Sequence, residues 1–495
     1  MKRTALLVMA LLFTADAATA QSLAFTGVTV IDVEEGTVEH GITVVMKSDR
    51  IAAVGDTDVV EVPSDATVID GSGKYLIPGL WDMHTHLLWS TDATEHTWTE
   101  MPGDVDGWTL WKRYYGPTLD LLVANGVTGI REMAGNLEVV RRVRREAAAG
   151  ERLAPRIMVA GHVVDGPPAL WPGLVVVSTP AEARDAVDSL FAAGAEFIKV
   201  RYRVRPDAYH AILERAQELG LPVVGHVPWL VTAVEASDAG QASIEHMTGV
   251  VEGCSAARDE LIALNRQLLV ALSAGERETA DSLEDRFFTR MLSTQDSGRC
   301  RALLRRLARN GTWLVPTLVL KRGLPGGGTH GSEEPLLKYI HPGWLDSWTP
   351  ERSAYGRKTD EGYAQRLRDQ ERRGEITGMA AEEGVPIMSG SDTPNAYVFP
   401  GFALHDELEL LVDAGLTPLQ ALQAATINPA RFLNATDSLG TVEAGKLADL
   451  VLLEANPLED IANTQRIRAV VLNGRLLDRE ALDALLTAAE RAARD

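Results

Sequence analysis

The chain has 495 residues, 45% of them apolar and 24% charged, with a formal net charge of −21. That length fits one large core plus a smaller domain, and so acidic a balance argues against nucleic acid or an anionic membrane as partner. With only Cys254 and Cys300, no thiolate metal site or disulfide framework can be built, although one disulfide can.

The first twenty residues read as a leader. Met1-Lys2-Arg3 is a basic start, "ALLVMALLF" is a short apolar core, and Ala18-Thr19-Ala20 is a small-residue cleavage site. A signal peptide over residues 1–20, cut after Ala20, implies a periplasmic or secreted protein; no later stretch is long and apolar enough for a stable membrane anchor. Residues 21–77 carry short β-rich runs, "VTVIDV", "ITVVMKSDRIAAVG" and "ATVIDGSG". The same texture returns over 433–480 in "GTVEAGKLADLVLLEANP" and "IRAVVLNGRLL", before a C-terminal helix or tail at 481–495. Neither piece buries a core alone, so the expectation is one small β-sandwich domain formed from both chain ends.

The middle, residues 78–432, alternates. "YLIPGLWDMHTH" is followed by strand-like runs at 126–133, 156–164, 197–202, 222–227, 242–247, 312–320 and 386–393, separated by helical stretches such as "PDAYHAILERAQELG". Eight strands alternating with helices predict an α/β fold, a (β/α)8 TIM barrel. Residues 255–310 read as extra helices, and 321–358 as a Gly/Pro/Trp-containing excursion.

Catalytic groups of such a barrel sit at the C-terminal strand ends. There the chain places His84 and His86, one residue apart on one strand face, then Lys199, His226, His246 and Asp392. Singly, each has an ordinary structural reading: a hydrogen-bonded core histidine, a solvent-seeking lysine, a turn aspartate. Converging on one mouth, imidazoles and a carboxylate are what borderline divalent metals such as zinc bind. A neutral lysine amine can add carbon dioxide, giving a carbamate able to bridge two cations.

In order and context, "IPGLWDMHTH", "AEFIKV", "GLPVVGHVP", "GQASIEHM", "MSGSD" and "LTPLQALQAATINPARFL" resemble the metal-dependent amidohydrolase superfamily, in its imidazolonepropionase-like and prolidase-like branch. The resemblance runs from about Leu23 to Leu477 and leaves the two long insertions unmatched. It implies that His84, His86 and Asp392 hold one metal, that His226 and His246 hold a second, and that carboxylated Lys199 joins them. It further implies two divalent ions, with zinc expected, and a bridging hydroxide that attacks an amide carbonyl. Asp392 would move the proton from that hydroxide to the leaving nitrogen.

For the substrate, eight of the ten tryptophans follow strand ends: Trp89, Trp98, Trp108, Trp111, Trp171, Trp229, Trp344 and Trp348. They suggest an aromatic wall, Trp229 included, against the alternative that long loops need small cores of their own. Arg201 and Arg203 share the parity of Lys199 and are candidates to clamp a free carboxylate. His162 lies where peptidases of this branch carry a carbonyl-polarising histidine, but outside the Gly-Gly-His setting expected for it. His405 reads as a packing or supporting residue; His40, His96, His210, His330 and His341 receive no role. The expected substrate is small, a dipeptide or N-acyl amino acid with an apolar group. A cyclic-amide hydrolase and a catalytically silent binding protein are the alternatives, and homo-oligomerisation is left open.

Overall fold

The computed structural model describes residues 22–87, 111–112, 115–169, 173–324, 334–342, 345, 348 and 360–494. The expected signal peptide and Trp89, Trp98, Trp108, Trp171 and Trp344 lie outside them. Five strands open the chain: β1 (Ser22–Ile31), β2 (Val38–Lys47), β3 (Arg50–Asp56), β4 (Thr67–Asp70) and β5 (Tyr75–Pro78). Nine follow in the middle: β6 (Leu80–Thr85), β7 (Val127–Glu132), β8 (Arg156–Val159), β9 (Val164–Asp165), β10 (Val175–Val176), β11 (Ile198–Val200), β12 (Val223–Gly225), β13 (Ser243–Glu245) and β14 (Trp313–Val315). Three more, β15 (Leu450–Leu453), β16 (Ile467–Leu472) and β17 (Arg475–Asp478), come near the end.

The two chain ends meet in one hydrogen-bonded sheet, in the order β17-β16-β15-β5-β1-β2-β3, with β4 joined to β1. Phe25, Val28, Val44, Ile51, Leu76, Leu450 and Val471 of this sheet form a core cluster of their own. Burial of such side chains is worth roughly 1.5–3 kcal/mol each, and both chain ends are needed to supply them. The run "YLIPGLWDMHTH", read above as one strand, is two. β5 pairs with β15 in the terminal sheet, Gly79 donates to the Asp449 carbonyl at 2.8 Å, and β6 then enters the barrel beside β7.

Parallel pairing links β6 to β7 and β8, and β9 to β11, β12, β13 and β14. The Glu196 amide donates to the Val159 carbonyl, connecting β8 to the chain entering β11. The last expected strand, 386–393, forms no regular strand. It runs between β14 and β6 through isolated bridges, Leu314 with Ile387 and Thr85 with Thr393, and through amide bonds from Met83 to Ser389 and from Asp392 to His84. These contacts complete the ring of the TIM barrel. The expected strand 312–320 is likewise shorter, ending at Val315 before a 3-10 turn over Leu318–Gly323.

The surrounding helices follow their local chemistry. Pro180–Ala192 starts at a Thr179/Glu182 capping box, and Pro206–Glu218 carries Pro at its first turn. The latter turns Tyr209, Ile212, Leu213 and Ala216 inward at helical spacing. The 255–310 insertion is three helices, Arg258–Ala274, Arg277–Ser293 and Ser297–Asn310. A Cys254–Cys300 disulfide ties the last of them to the segment after β13. Among the described residues no helix is long and apolar enough to cross a membrane.

Candidate metal centre

Of the six polar residues expected at the strand ends, four make close contacts with one another. His84 Nε2 lies 3.4 Å and His86 Nε2 3.1 Å from Asp392 Oδ1, while His246 Nδ1 is 3.7 Å from Asp392 Oδ2. The His84 ring is 5.2 Å from that of His86 and 4.5 Å from that of His246; His226 lies 5.0 Å from His246. One nitrogen each from His84 and His86 and one oxygen of Asp392 fall within 4.8 Å of one another, close enough to share a cation. Lys199, in mid-β11, is buried with its Nζ making no hydrogen bond among the described residues. The same holds for His84 Nε2 and His226 Nδ1.

Backbone geometry explains how short strands deliver these groups. His246 and Asp392 have φ of 56° and 60°, the left-handed region that non-glycine residues enter at a cost of about 1–3 kcal/mol. At His246 this turns the chain just after β13, so that Glu245 and His246 both reach the centre. Gly225, which precedes His226, has φ of 119°, and a Cβ there would stand 2.9 Å from Lys199 Cδ and 2.4 Å from the Val200 carbonyl oxygen. A Cβ on Gly390 would meet the His84 Cβ at 2.7 Å. The glycines of "VVGHV" and "MSGSD" therefore clear space for the lysine and for the first histidine.

Electrostatics keep the imidazoles neutral. Burial holds His84, His226 and His246 well below the usual histidine range, with the Lys199 charge adding to the effect on each. His86 is also lowered by burial, although Asp392 pulls the other way. Burial alone would raise Asp392; His246, His86 and Lys199 outweigh it and hold the carboxyl below its ordinary range. Lys199 is pushed down to about 7, by burial first, against the pull of Glu245 and Asp392. Neutral imidazoles, an ionised carboxylate and an amine near its uncharged form are the donor set that a divalent cation takes. Buried nitrogens lacking a hydrogen-bond partner fit that set, because each still has a lone pair to give.

A supporting layer was not foreseen from the sequence. His84 Nδ1 donates to Glu245 Oε2 at 2.9 Å, which leaves its Nε2 lone pair toward Asp392. Glu245 Oε1 in turn accepts from Arg131 at 2.9 Å and from the Ser243 hydroxyl at 2.5 Å. Arg131, fully buried, also donates to the Met83 carbonyl and lies against the Phe197 and Phe432 rings. Asp82, two residues before His84, accepts from the Ser391 amide at 2.9 Å and hydroxyl at 2.5 Å, fixing the turn that carries Asp392. The Thr317 hydroxyl is 2.7 Å from His246 Nδ1. Strand parity was the available signal for Ser243 and Glu245, which are two apart and precede a candidate ligand.

The substrate candidates separate. Arg201 lies among the centre's groups, its charge acting on His86, Lys199, His226 and Asp392, and its guanidinium 5.3 Å from the Tyr202 ring. Arg203 turns elsewhere: it donates to the Pro168 carbonyl and sits 5.9 Å from the Trp229 ring. Of the two arginines only Arg201 faces the centre. Tyr202 stacks on His226 at 4.1 Å and on Trp229 at 5.6 Å, joining the centre to an aromatic wall. His162 Nδ1 bonds to the Gly173 carbonyl at 2.9 Å. Trp111 is core rather than wall, fully buried with its indole N–H on the Leu87 carbonyl. Trp348 packs against Tyr397 and Phe399. His405 is a packing residue between Thr464 and the Asn125 carbonyl.

Comparison with known proteins agrees with this geometry. The model of the Amidohydrolase family matches residues 75–306 and 366–477. Imidazolonepropionase of Symbiobacterium thermophilum is 25% identical over 432 residues, 82% of each chain. A Xaa-Pro dipeptidase solved with methionine in its active site superposes with a TM-score of 0.64 at 20% identity, over 92% of this chain and 100% of that one. Ochratoxinase of Aspergillus niger gives 0.63 at 20% identity, over 93% and 96%. The family match takes in β6, whose end carries the His84–His86 fork, and reaches through Asp392 to the last strands of the terminal sheet, so the chain belongs to the amidohydrolase family and is a metal-dependent hydrolase of carbon–nitrogen bonds.

Proposed function

We propose that the protein is a two-metal hydrolase of an acyclic amide, a dipeptide or an N-acyl amino acid with an apolar group, working after export to the periplasm or medium. The observation that carries this reading is the buried Lys199 amine, which makes no hydrogen bond among the described residues, together with the His84–His86–Asp392 cluster. His84, His86 and Asp392 would hold one ion, His226 and His246 a second, and Lys199, as its carbamate, would lie between them; zinc suits such nitrogen and oxygen donors. Bound cations supply Lewis-acid polarisation of the carbonyl and a water that ionises near neutral pH. Asp392, kept ionised by its neighbours, takes a proton from the attacking water and returns it to the leaving nitrogen. Arg201 holds a free carboxylate of the substrate, and the Tyr202–Trp229 stack covers its apolar part.

The length of the match to imidazolonepropionase favours ring opening of a cyclic amide as the second reading. One experiment separates the two. Mature protein purified with zinc and bicarbonate should contain two metals per chain and hydrolyse members of a mixed dipeptide and N-acyl amino acid library. A steady ratio of one with full activity would remove Lys199 from the centre, and turnover confined to cyclic amides would replace the substrate class.

A further inference from the structure

Just past β14 the chain makes a strained turn. Thr317 has φ of 51° and ψ of 47°, the left-handed region, and its side chain is branched at Cβ and buried. A β-branched residue seldom adopts that conformation and keeps it only where its surroundings dictate it, which makes the turn worth a functional question. Two contacts brace it. The Glu407 carboxylate, from the helix Phe402–Asp413, accepts the Val319 amide at 2.8 Å, and the Val315 carbonyl accepts the His246 amide at 2.9 Å. The second contact sets the end of β13 beside the turn. There the Thr317 hydroxyl stands 2.7 Å from His246 Nδ1.

The same hydroxyl is 2.7 Å from the Pro316 carbonyl, which can only accept. With its one proton given to that carbonyl, the hydroxyl presents a lone pair to His246, and Nδ1 is the nitrogen that carries the imidazole proton. Asp392 Oδ2, at 3.7 Å from the same nitrogen, is too far to compete for it. We infer that Thr317 is a positioning residue that fixes the tautomer and ring orientation of His246, so that Nε2 is the nitrogen given to a cation. Thr317 does for His246 what Glu245 does for His84, with a neutral hydroxyl oxygen in place of a carboxylate. The inference rests on the two-metal reading above and deepens it, since His246 matters as a ligand only if a second ion is bound.

The test follows zinc release from the loaded protein into a competing chelator, with nitrogen-15 spectra of histidine-labelled protein beside it. The unaltered protein should give up two ions per chain. Its His246 signal, assigned by its loss in His246→Asn, should show the proton on Nδ1. A proton on Nε2 would overturn the inference without any Thr317 variant having to fold. Thr317→Val removes the hydroxyl at nearly constant shape and should weaken one of the two ions by about 10–100-fold. Thr317→Ser restores the hydroxyl and should stay within about threefold of the unaltered protein. Unchanged release in Thr317→Val, equal weakening of both ions, or a loss that Thr317→Ser shares in full would each overturn the positioning role and leave the two-metal reading standing. Release of a single ion from the unaltered protein would instead overturn the two-metal reading, and the inference with it.

Discussion

Asp392 is the residue on which the centre converges, because His84, His86 and His246 all approach its two oxygens. Each imidazole is kept neutral by burial, so Asp392 is the anionic member of the cluster and the group able to carry a proton through a catalytic cycle. Asp392→Asn keeps the shape and loses the proton site. Turnover should fall by on the order of 10² or more while the thermal transition of the protein stays in place; near-native turnover would mean that the proton travels by another route. The donor set was legible in the sequence because histidines, a lysine and an aspartate recur at strand ends, where polar side chains need a reason. Its supports were not. Arg131 and Glu245 are a fully buried ion pair inside strands, and a buried pair leaves no pattern in sequence: each residue alone reads as solvent-facing. Asp82 is similar, since its partner Ser391 is 309 positions away.

At the level of elements, alternation of strands and helices could be read directly, whereas strand ends could not. "YLIPGLWDMHTH" is apolar up to its histidines apart from Asp82, and nothing in that pattern marks Gly79 as the point where the chain leaves one sheet for another. "PIMSGSDT" was legible as a barrel position and not as an irregular one, because Gly390 and the left-handed Asp392 break a ladder that composition alone suggests. The helical insertion was visible from its periodicity, whereas the sequence left the pairing of its two cysteines open. Cys254 and Cys300, 46 positions apart, fasten the helix Ser297–Asn310 to the end of the short helix Val250–Gly253. Thiol counting on unfolded, unreduced protein should find no free thiol, with a mass gain of two hydrogens only on reduction. Replacing both cysteines by alanine should cost about 3–4 kcal/mol in the chain-entropy account. Two free thiols in exported material would reject the bridge.

For the whole molecule, the barrel and the terminal sheet are joined at Asp449, which takes Arg156 of β8 at 2.5 Å and the Asn473 amide at 2.7 Å, while its carbonyl receives Gly79. A second tie closes the ring from outside. Glu407, on the helix Phe402–Asp413, accepts from the Val319 amide at 2.8 Å just beyond β14 and is fully buried. Burial pushes its carboxyl up to about 8, against the pull of the Val319 and Leu318 amides, so the folded protein holds a proton there that the unfolded chain, with a glutamate near 4.3, has released. The sign follows from that difference. Below about 4.3 both states are protonated and Glu407 costs nothing; as pH rises toward about 8 folding stability falls, by at most about 1.4 kcal/mol per pH unit, and above it the loss is constant. Glu407→Gln preserves the acceptor for Val319 and removes the titration. In urea unfolding of the metal-loaded protein, the variant should therefore gain on the parent steadily between about pH 5 and about pH 8 and then level off. A difference that stays flat across that interval would show that Glu407 is ionised in the fold, its charge met by a partner other than the two amides.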